Sequence, residues 1–209
     1  MFLVCGEALF DFFLETDSGP AAATYAARAG GSPFNVAIGL SRLGIRSGLL
    51  TGLSTDLLGQ RLVAVLRAES VATDYAIPTD RPTTLSLVGL DASGVPAYQF
   101  YDNGSADTGV TVADLPRIGP VIVGLHFGSY SLAAAPVADA FAALATAERA
   151  RFITLDPNVR PTVEPDMDVW RERMAVLYPL ATLVKISAED LDLLRPGLSA
   201  ENFAADLLG

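Results

Sequence analysis

Two adjacent glycines, Gly30 and Gly31, precede residues whose types suit the binding of a polar ligand. The next residues predict the start of a helix, with Ser32 as its N-cap and Pro33 at the first helical position. Glycines at this point leave the main chain bare, so that a hydroxylated ligand can approach the peptide N–H groups. Asn35, in the first turn, offers both a hydrogen-bond donor and an acceptor toward the same place.

Asp11 is a second candidate, because it follows the first predicted strand. Residues 2–6 are mostly apolar and predict a buried strand that delivers the segment 6–11 at its end. In an open parallel sheet, ligands gather beyond the carboxyl ends of the strands. Asp11 is therefore a candidate acceptor for ligand hydroxyl groups, with a solvated turn aspartate as the alternative.

A third group of polar side chains follows a later apolar strand. The segment 156–161 reads Asp-Pro-Asn-Val-Arg-Pro, and Pro157 marks the end of the strand because it cannot donate to a β-ladder. Asn158 and Arg160 then lie where ligands gather, and the planar fork of donors on Arg160 suits hydroxyl pairs, carboxylates or phosphates. The alternative is a proline-rich loop in which Asp156 and Arg160 pair with each other.

The last such group follows the predicted strand 182–186. Lys185 lies near its end, and Ser187 opens a helix with an acidic residue, Asp190, three positions later. Ser187 and Asp190 approximate the spacing of a capping box, which by itself explains them. A role on the phosphate or metal side of a site is the other interpretation.

Alternating strands and helices position these groups, which is typical of an α/β fold with a parallel sheet. Strands are predicted at 2–6, 46–53, 121–129, 152–155 and 182–186, and helices at 33–43, 58–70, 133–151, 169–178, from 188 and from about 199. In the first helix Val36, Leu40 and Leu43 recur at helical spacing and predict the buried stripe, and Gly44 is placed to end it. The buried faces predicted for the next three helices are Leu58, Leu62, Val65 and Leu66; Val137, Phe141, Leu144 and Ala145; and Trp170 and Met174.

Two β-rich runs, 84–90 and 95–101, interrupt this alternation. Between them the residues Asp-Ala-Ser-Gly at 91–94 favour a turn, so the runs predict a β-hairpin. A hairpin inside an α/β chain indicates a small β-sheet appendage, on which Tyr98, Phe100 or Tyr101 forms an apolar wall or simply packs the hairpin.

Composition excludes several classes of protein. The 209 residues are 51% hydrophobic and carry a net charge of −10, which indicates a core-forming globular chain and argues against nucleic acid or anionic membrane as partner. Cys5 is the only cysteine, so no intramolecular disulfide is expected. His126, the only histidine, is expected to be a satisfied interior or rim residue. No secretory leader or membrane span is recognisable, which predicts a cytoplasmic protein.

The string from Gly30 to Gly44 resembles the first signature of the ribokinase-like carbohydrate kinases, the PfkB family. The segments 100–107 and 156–160 resemble the fructokinase branch of that family, and Asp56 with Gly59 fits its Asp-x-x-Gly. The resemblance covers the whole chain, but only about the first two-thirds of a family member. It implies a three-layer α/β/α sandwich over residues 1–209 with a small β-sheet lid formed by residues 12–28 and 83–110.

The resemblance also implies an activity: ATP-dependent phosphorylation of a primary hydroxyl of a small sugar, with fructose first and ribose, 2-keto-3-deoxygluconate or a nucleoside as alternatives. ATP and Mg²⁺ are the implied cofactors, and the lid is an implied surface for a homodimer. The residues implied on the sugar side are Asp11, Gly30, Gly31, Asn35, Phe100 and Arg160. Those implied on the nucleotide and phosphate side are Asn158, Lys185, Ser187 and Asp190, with Asp190 acting on the metal indirectly.

The family's second signature, a Gly-Ala-Gly-Asp turn that supplies the catalytic base and an anion hole, does not occur in the 209 residues. Since phosphoryl transfer rests on positioning and charge stabilisation, these residues alone are expected to be nearly inert. We expect a fragment of a longer kinase; the rival is a non-catalytic sugar-binding remnant. A dinucleotide-dependent dehydrogenase is disfavoured because no Gly-x-Gly-x-x-Gly follows the first strand.

Overall fold

The computed structural model describes residues 1–90 and 96–209. The strands in this part of the chain are β1 (Phe2–Cys5), β2 (Leu9–Asp17), β3 (Ala23–Gly30), β4 (Ser47–Leu50), β5 (Gly52–Ser54), β6 (Ile77–Thr79), β7 (Thr84–Leu90), β8 (Pro96–Tyr101), β9 (Gly124–Gly128), β10 (Phe152–Asp156) and β11 (Leu183–Val184). The α-helices are α1 (Ser32–Arg42), α2 (Leu57–Ala68), α3 (Val137–Ala147), α4 (Met167–Leu177), α5 (Ala188–Leu194) and α6 (Ala200–Leu208). Short 3₁₀ turns lie at Val112–Asp114, Tyr130–Leu132 and Tyr178–Leu180.

A five-stranded parallel sheet forms the centre of the molecule, with the order β11-β10-β9-β1-β4. Because all its strands run the same way, the segments that follow β1, β9, β10 and β11 meet at one edge of the sheet. The predicted strand 46–53 is interrupted: β4 ends at Leu50, and β5 pairs with β6 in a separate two-stranded sheet. Gly52 lies so close to the carbonyl of Ala106 that a Cβ there would overlap it, and the chain leaves the main sheet at this contact.

Helices cover both faces of the sheet and produce the three layers that the sequence predicts. On one face, Leu125 and Phe127 of β9 belong to a core that includes Phe141 of α3 and Trp170 of α4. On the other face, Val4 and Leu49 of the sheet pack with residues of α1 and α2, among them Phe34, Ala37, Leu62 and Leu66. The edge of the sheet at which the segments after β1, β9, β10 and β11 meet therefore lies between two packed helical layers.

Helix α1 differs from its prediction in its cap and in its buried face. Gly31, not Ser32, is the N-cap, and no side chain caps the helix. The buried stripe contains Phe34 rather than Leu43, which lies beyond the last residue of α1 and is 79% exposed. Phe34 is 1% exposed and packs in the core with Ala37 and Ile38, and Pro33, next to it, lies against Gly6 at the end of β1.

The remaining stripe residues, Val36 and Leu40, are only partly buried at the margin of the core. Gly44 adopts a positive φ of 80°, and the N–H of Ile45 bonds to the carbonyl of Leu40 at 2.9 Å. The predicted end of the helix at Gly44 is therefore confirmed.

The other helices bury most of the faces that their spacing predicts. In α2, Leu62 and Leu66 are buried whereas Leu58 and Val65 are partly buried. Helix α3 begins at Val137 rather than near 133, because the 3₁₀ turn 130–132 and the Ala135–Pro136 segment precede it. The predicted face of α3, Val137, Phe141, Leu144 and Ala145, is buried, and so are Trp170 and Met174 of α4.

A second sheet lies apart from the parallel one, with the strand order β3-β2-β7-β8. The predicted hairpin is present, since β7 and β8 pair antiparallel; its predicted turn at 91–94 lies outside the described residues. Strand β2 pairs antiparallel with β3 and parallel with β7, so the segment before the glycine pair is part of this sheet. Among the described residues, no helix has both the length and the apolar content needed to cross a bilayer.

Candidate active site

The first two predicted site features, Asp11 and the glycine pair, lie in contact. Asp11 is on β2, and β3 runs back beside it to Gly30. A Cβ built on Gly30 would overlap Oδ2 of Asp11, so only glycine leaves room for the carboxylate here. Gly31 has a φ of 105°, and a Cβ there would lie 2.7 Å from the carbonyl oxygen of Glu7, which makes the second glycine a conformational and a packing requirement.

One row of cross-strand neighbours joins Asp11 to the hairpin. Asp11 pairs in register with Ser86 of β7, and Ser86 pairs with Phe100 of β8, so the three side chains share one face of the second sheet. The ring of Phe100 packs edge-on against Tyr130, with centroids 5.7 Å apart. Of the three hairpin aromatics singled out from the sequence, Phe100 is therefore the one that packs inward; the other two, Tyr98 and Tyr101, are about half exposed.

The Asp11 carboxyl lies in a mixed electrostatic environment. Burial raises its pKa above the usual range, and this shift is opposed by the Ser86 hydroxyl and by the positive charge of Arg160. Arg160, after β10, thus lies near enough to Asp11 to interact with it although 149 residues separate them in sequence. A half-buried carboxylate beside bare main chain and a guanidinium can bind several hydroxyl groups at once.

The loop after β10 does not contain the Asp156–Arg160 pair that the sequence left open as an alternative. Asp156 accepts from Lys185 Nζ at 2.9 Å. Arg160 donates only to main-chain carbonyls within the described residues, to Val159 at 2.9 Å and to Asn158 at 3.4 Å. Its guanidinium is consequently not neutralised by a carboxylate of its own loop.

The Asn158 side chain contacts the turn after β9. Its Nδ2 donates to Ser129 Oγ at 3.2 Å, and its φ is 43°. Asn158 thereby connects the loop after β10 to the turn after β9.

Ser187 is the N-cap of α5, as its position predicts, but the capping box is only half formed, because the Asp190 carboxylate accepts from Ser187 Oγ and Val159 N–H instead of the Ser187 N–H. Ser187 Oγ accepts the N–H of Asp190 at 3.0 Å and also donates to Asp190 Oδ2 at 2.7 Å. Asp190 Oδ1 accepts the N–H of Val159 at 2.8 Å, which fixes the loop that carries Arg160. The start of α5 therefore also stabilises the loop that carries Arg160.

A direct magnesium ligand set does not fit these residues. Asp190 is buried, and each of its carboxylate oxygens already accepts a hydrogen bond. Within residues 1–90 and 96–209, no three His, Cys, Asp or Glu side chains are grouped closely enough to hold a metal ion. The indirect role predicted for Asp190 stays a prediction.

Two further predicted residues have plain outcomes. Asn35 lies in the first turn of α1, where its N–H bonds to the Gly31 carbonyl and its side chain is exposed. His126 is interior, with Nδ1 2.8 Å from Thr154 Oγ1, but Nε2 has no partner among the described residues, so it is satisfied on one side only. Burial lowers the pKa of His126 to about 4, which keeps the ring neutral at physiological pH.

Sequence reasoning missed a buried polar cluster beneath the candidate site. Glu7 accepts the N–H of Ser32 and the hydroxyl of Ser131. Asp107 accepts hydroxyl groups from Tyr130 at 2.7 Å, from Ser105 at 2.8 Å and from Thr84. The only signal for Glu7 in the sequence is an acidic residue placed directly after a buried strand.

The fold and the site together define the class of the protein. A parallel α/β sandwich with a second sheet that brings a carboxylate over a glycine turn is the ribokinase-like arrangement, and solved sugar kinases share it. The chain belongs to the PfkB family of carbohydrate kinases: the model of that family matches residues 1–205.

Individual relatives agree with this assignment. A fructokinase from Rhizobium leguminosarum bv. trifolii is 40% identical over 193 residues, which is 92% of this chain and 59% of that protein. The crystal structure of a fructokinase from Xylella fastidiosa superposes with a TM-score of 0.88 at 27% identity, over 99% of this chain and 66% of the other. A structure of fructokinase from the same organism with bound ATP superposes with a TM-score of 0.86 at 27% identity, over 99% of this chain and 64% of the other. The chain thus spans about three-fifths to two-thirds of the proteins that it matches.

Proposed function

We propose that the protein to which this chain belongs is an ATP-dependent sugar kinase that phosphorylates a primary hydroxyl of a small sugar, with fructose as the first candidate. The observation that carries the proposal is the contact of the Asp11 carboxylate with Gly30, with Arg160 close by. Relatives of this chain that are named fructokinases, and a fructokinase structure with bound ATP, support the choice of substrates.

The described residues supply the sugar side of such a site. Asp11 accepts hydrogen bonds from sugar hydroxyls, and the absence of side chains at Gly30 and Gly31 lets the sugar lie against the main chain. Phe100 forms an apolar wall, which its packing on Tyr130 holds in place. Asn35, exposed in the first turn of α1, is a further polar group available to the sugar.

The phosphate side is less complete in this chain. Arg160 lacks a carboxylate partner in its own loop and can donate to a transferred phosphoryl group. Asn158, Lys185, Ser187 and Asp190 are proposed on the nucleotide side, where the ammonium of Lys185 is paired with Asp156 and Asp190 fixes the loop through the Val159 N–H. Transfer proceeds by in-line attack of the sugar hydroxyl on the γ-phosphate of ATP, and we assign no residue of this chain as the base.

The second sheet is proposed to act as a lid that excludes water from the transferred phosphoryl group. Its exposed apolar side chains also suit contact with a second copy of the chain, which makes a homodimer through the lid part of the proposal. On the face opposite to Asp11 these side chains are Leu14, Tyr25 and Tyr101, whereas the exposed Phe13 and Tyr98 share the face of Asp11.

An assay of the full-length protein tests the proposed reaction. ATP-dependent phosphorylation is measured with fructose, ribose, 2-keto-3-deoxygluconate and a nucleoside, and fructose is expected to give the highest kcat/KM. No turnover with any sugar, sugar acid or nucleoside would refute the proposal.

A sugar-binding remnant without transfer is the second candidate, because the sugar-side groups Asp11, Gly30 and Arg160 lie together in this chain. Calorimetry with fructose distinguishes it from the kinase. Fructose binding without turnover by the full-length protein supports the remnant, whereas binding with turnover supports the kinase.

A further inference from the structure

Glu7 is a buried carboxyl group that contacts the glycine turn from below. Its side chain follows β1 and is 1% exposed. One oxygen, Oε1, accepts the N–H of Ser32 at 3.1 Å, and the other, Oε2, accepts the hydroxyl of Ser131 at 2.9 Å. A single side chain therefore joins the segment after β3 to the turn after β9.

A third segment is joined through Ser129. Ser129 lies two residues before Ser131 in the same turn; its hydroxyl accepts from the Asn158 side chain at 3.2 Å, and its N–H donates to the Asp156 carbonyl at 3.0 Å. Asn158 belongs to the loop that carries Arg160. Glu7 thus joins the glycine turn to the turn after β9, and that turn is bonded in its own right to the loop after β10.

A carboxyl group in this position is costly to bury, but it accepts hydrogen bonds that an apolar side chain could not accept. The acidic group that faces it is Asp107, the neighbouring hydroxyl groups come from Ser129, Ser131 and Tyr130, and no basic side chain pairs with it among the described residues. Apolar replacements of buried charged groups are often neutral or stabilising. The role of Glu7 therefore lies in the geometry of the turn and not in the free energy of unfolding.

The direction of the Ser32 N–H gives that geometry. Because Oε1 holds this N–H inward, the peptide between Gly31 and Ser32 has a fixed orientation, which fixes ψ of Gly31 at 134°. The carbonyl of Glu7 itself packs against Gly31. Glu7 thus constrains the glycine turn from both its side chain and its main chain.

We propose that Glu7 is a positioning residue for the sugar, which holds the glycine turn in register with the loop that carries Asn158 and Arg160. The inference rests on the proposed function, since it takes the sugar to be the ligand of that turn. Glu7 itself lies beneath the turn and touches no substrate.

Two substitutions of similar size separate hydrogen bonding from packing. Glu7→Gln keeps an acceptor for Ser32, whereas Glu7→Met fills the space without one. Full-length Glu7→Met is expected to raise the KM for fructose about tenfold or more while the KM for ATP changes less than twofold, and Glu7→Gln is expected to restore the fructose KM to within about threefold of wild type. Equal rises in both KM values, or an unchanged fructose KM in Glu7→Met, would overturn the inference.

Asp107→Asn is the matched control, because Asp107 is buried in the same polar cluster but does not touch the glycine turn. It is expected to lower the melting temperature and to leave the fructose KM within twofold. Should Glu7→Met fail to fold, Ser131→Ala removes only one partner of Glu7 and is expected to raise the fructose KM about threefold with no change for ATP. An unchanged fructose KM in Ser131→Ala would then count against the inference.

A measurement without sugar distinguishes this inference from the proposed function. Amide hydrogen exchange at Ser32 is expected to be slow in the unliganded wild type and in Glu7→Gln. Fast exchange at Ser32 in the wild type would overturn the link to Glu7 even if the protein phosphorylates fructose. Slow exchange at Ser32 in a protein that binds no sugar would instead refute the proposed function, and only the link between Glu7 and the glycine turn would remain.

Discussion

At the scale of single residues, Asp11 combines two properties that a sugar ligand needs. It is half-buried, so that its hydrogen bonds are not fully competed by water, and it lies beside main chain that no side chain covers. The positive charge of Arg160 balances it in part. The carboxylate is thereby kept available in a position where an isolated buried charge would be unfavourable.

Replacing Asp11 tests this role directly. Asp11→Asn removes the charge and two acceptor lone pairs, and it is expected to weaken fructose binding about tenfold to a hundredfold, because hydrogen bonds to a charged group contribute about 1.5–3 kcal/mol. Calorimetry measures the affinity. Asp17→Asn, on the exposed end of the same strand, is the control and is expected to bind fructose like the wild type. Equal affinities for Asp11→Asn and the wild type would contradict the assignment.

The buried carboxyl of Glu7 predicts a specific pH dependence of stability. Burial raises its pKa from 4.5 to about 7. Since the folded state holds the proton more tightly than the unfolded state, the contribution of Glu7 is fully present below pH 4.5 and is lost as the pH rises through about 7.

Denaturant unfolding of wild type and Glu7→Gln measures this dependence. The free energy of unfolding of the wild type is expected to fall relative to Glu7→Gln between pH 4.5 and 8, by up to about 3 kcal/mol at 1.36 kcal/mol per pKa unit. Below about pH 4 the difference in the free energy of unfolding between the two proteins should no longer change with pH. A constant difference over the whole range would show that Glu7 titrates at its ordinary pKa.

The sequence predicts some of these residues and not others for a physical reason. The glycine pair and Arg160 are recognisable because turns at strand ends leave a local pattern, whereas Asp11, expected after the first strand, lies within β2. The partners of Glu7 are a main-chain N–H 25 residues away and a hydroxyl 124 residues away, and no local pattern specifies such contacts. Ser86 was missed likewise, because its place beside Asp11 follows from strand register.

At the scale of elements, α1 illustrates how a correct helix can have an incorrectly predicted face. The spacing of Val36, Leu40 and Leu43 is helical, but so is that of Phe34, Ala37 and Ile38. Periodicity alone does not choose between two apolar stripes that overlap. The choice depends on tertiary packing, here of Phe34, Ala37 and Ile38 against the sheet and α2.

A pair of alanine substitutions checks the corrected face. Phe34→Ala is expected to lower the free energy of unfolding by about 3–5 kcal/mol, because it leaves a cavity in the core between α1 and the sheet. Leu43→Ala, at a position 79% exposed, is expected to change it by less than about 0.5 kcal/mol. Chemical denaturation measures both values, and a reversed order would restore the stripe that the sequence predicts.

Strand β2 belongs to both the main body and the second sheet. Its first residues, Leu9 and Phe10, are buried in the two cores of the main body, whereas its last residues are exposed in the second sheet. Asp11 lies at the junction. The alternation of strands and helices predicts the parallel sheet, and the two β-rich runs that interrupt it predict the hairpin. The continuity of β2 between body and lid depends on pairing with β3 and β7, which composition does not specify.

At the scale of the whole molecule, the surface of the second sheet predicts self-association. Leu14 and Tyr25 are cross-strand neighbours on it and are 40% and 41% exposed. Apolar side chains clustered on one exposed sheet are typical of an interface. Contact between two copies at this surface would also restrict the movement of the strand that carries Asp11, so that assembly and sugar binding are expected to be coupled.

Sedimentation of the full-length protein measures the association. The wild type is expected to be a dimer at micromolar concentration, and Leu14→Glu with Tyr25→Lys is expected to be a monomer, because the new pair removes the apolar contact while its opposite charges preserve the strand pairing. Leu43→Glu, which alters an exposed leucine after α1, is the control and should remain dimeric. A monomeric wild type, or a dimeric double variant, would exclude this surface as the interface. A monomeric double variant with unchanged fructose affinity would show that the lid positions Asp11 without a second copy.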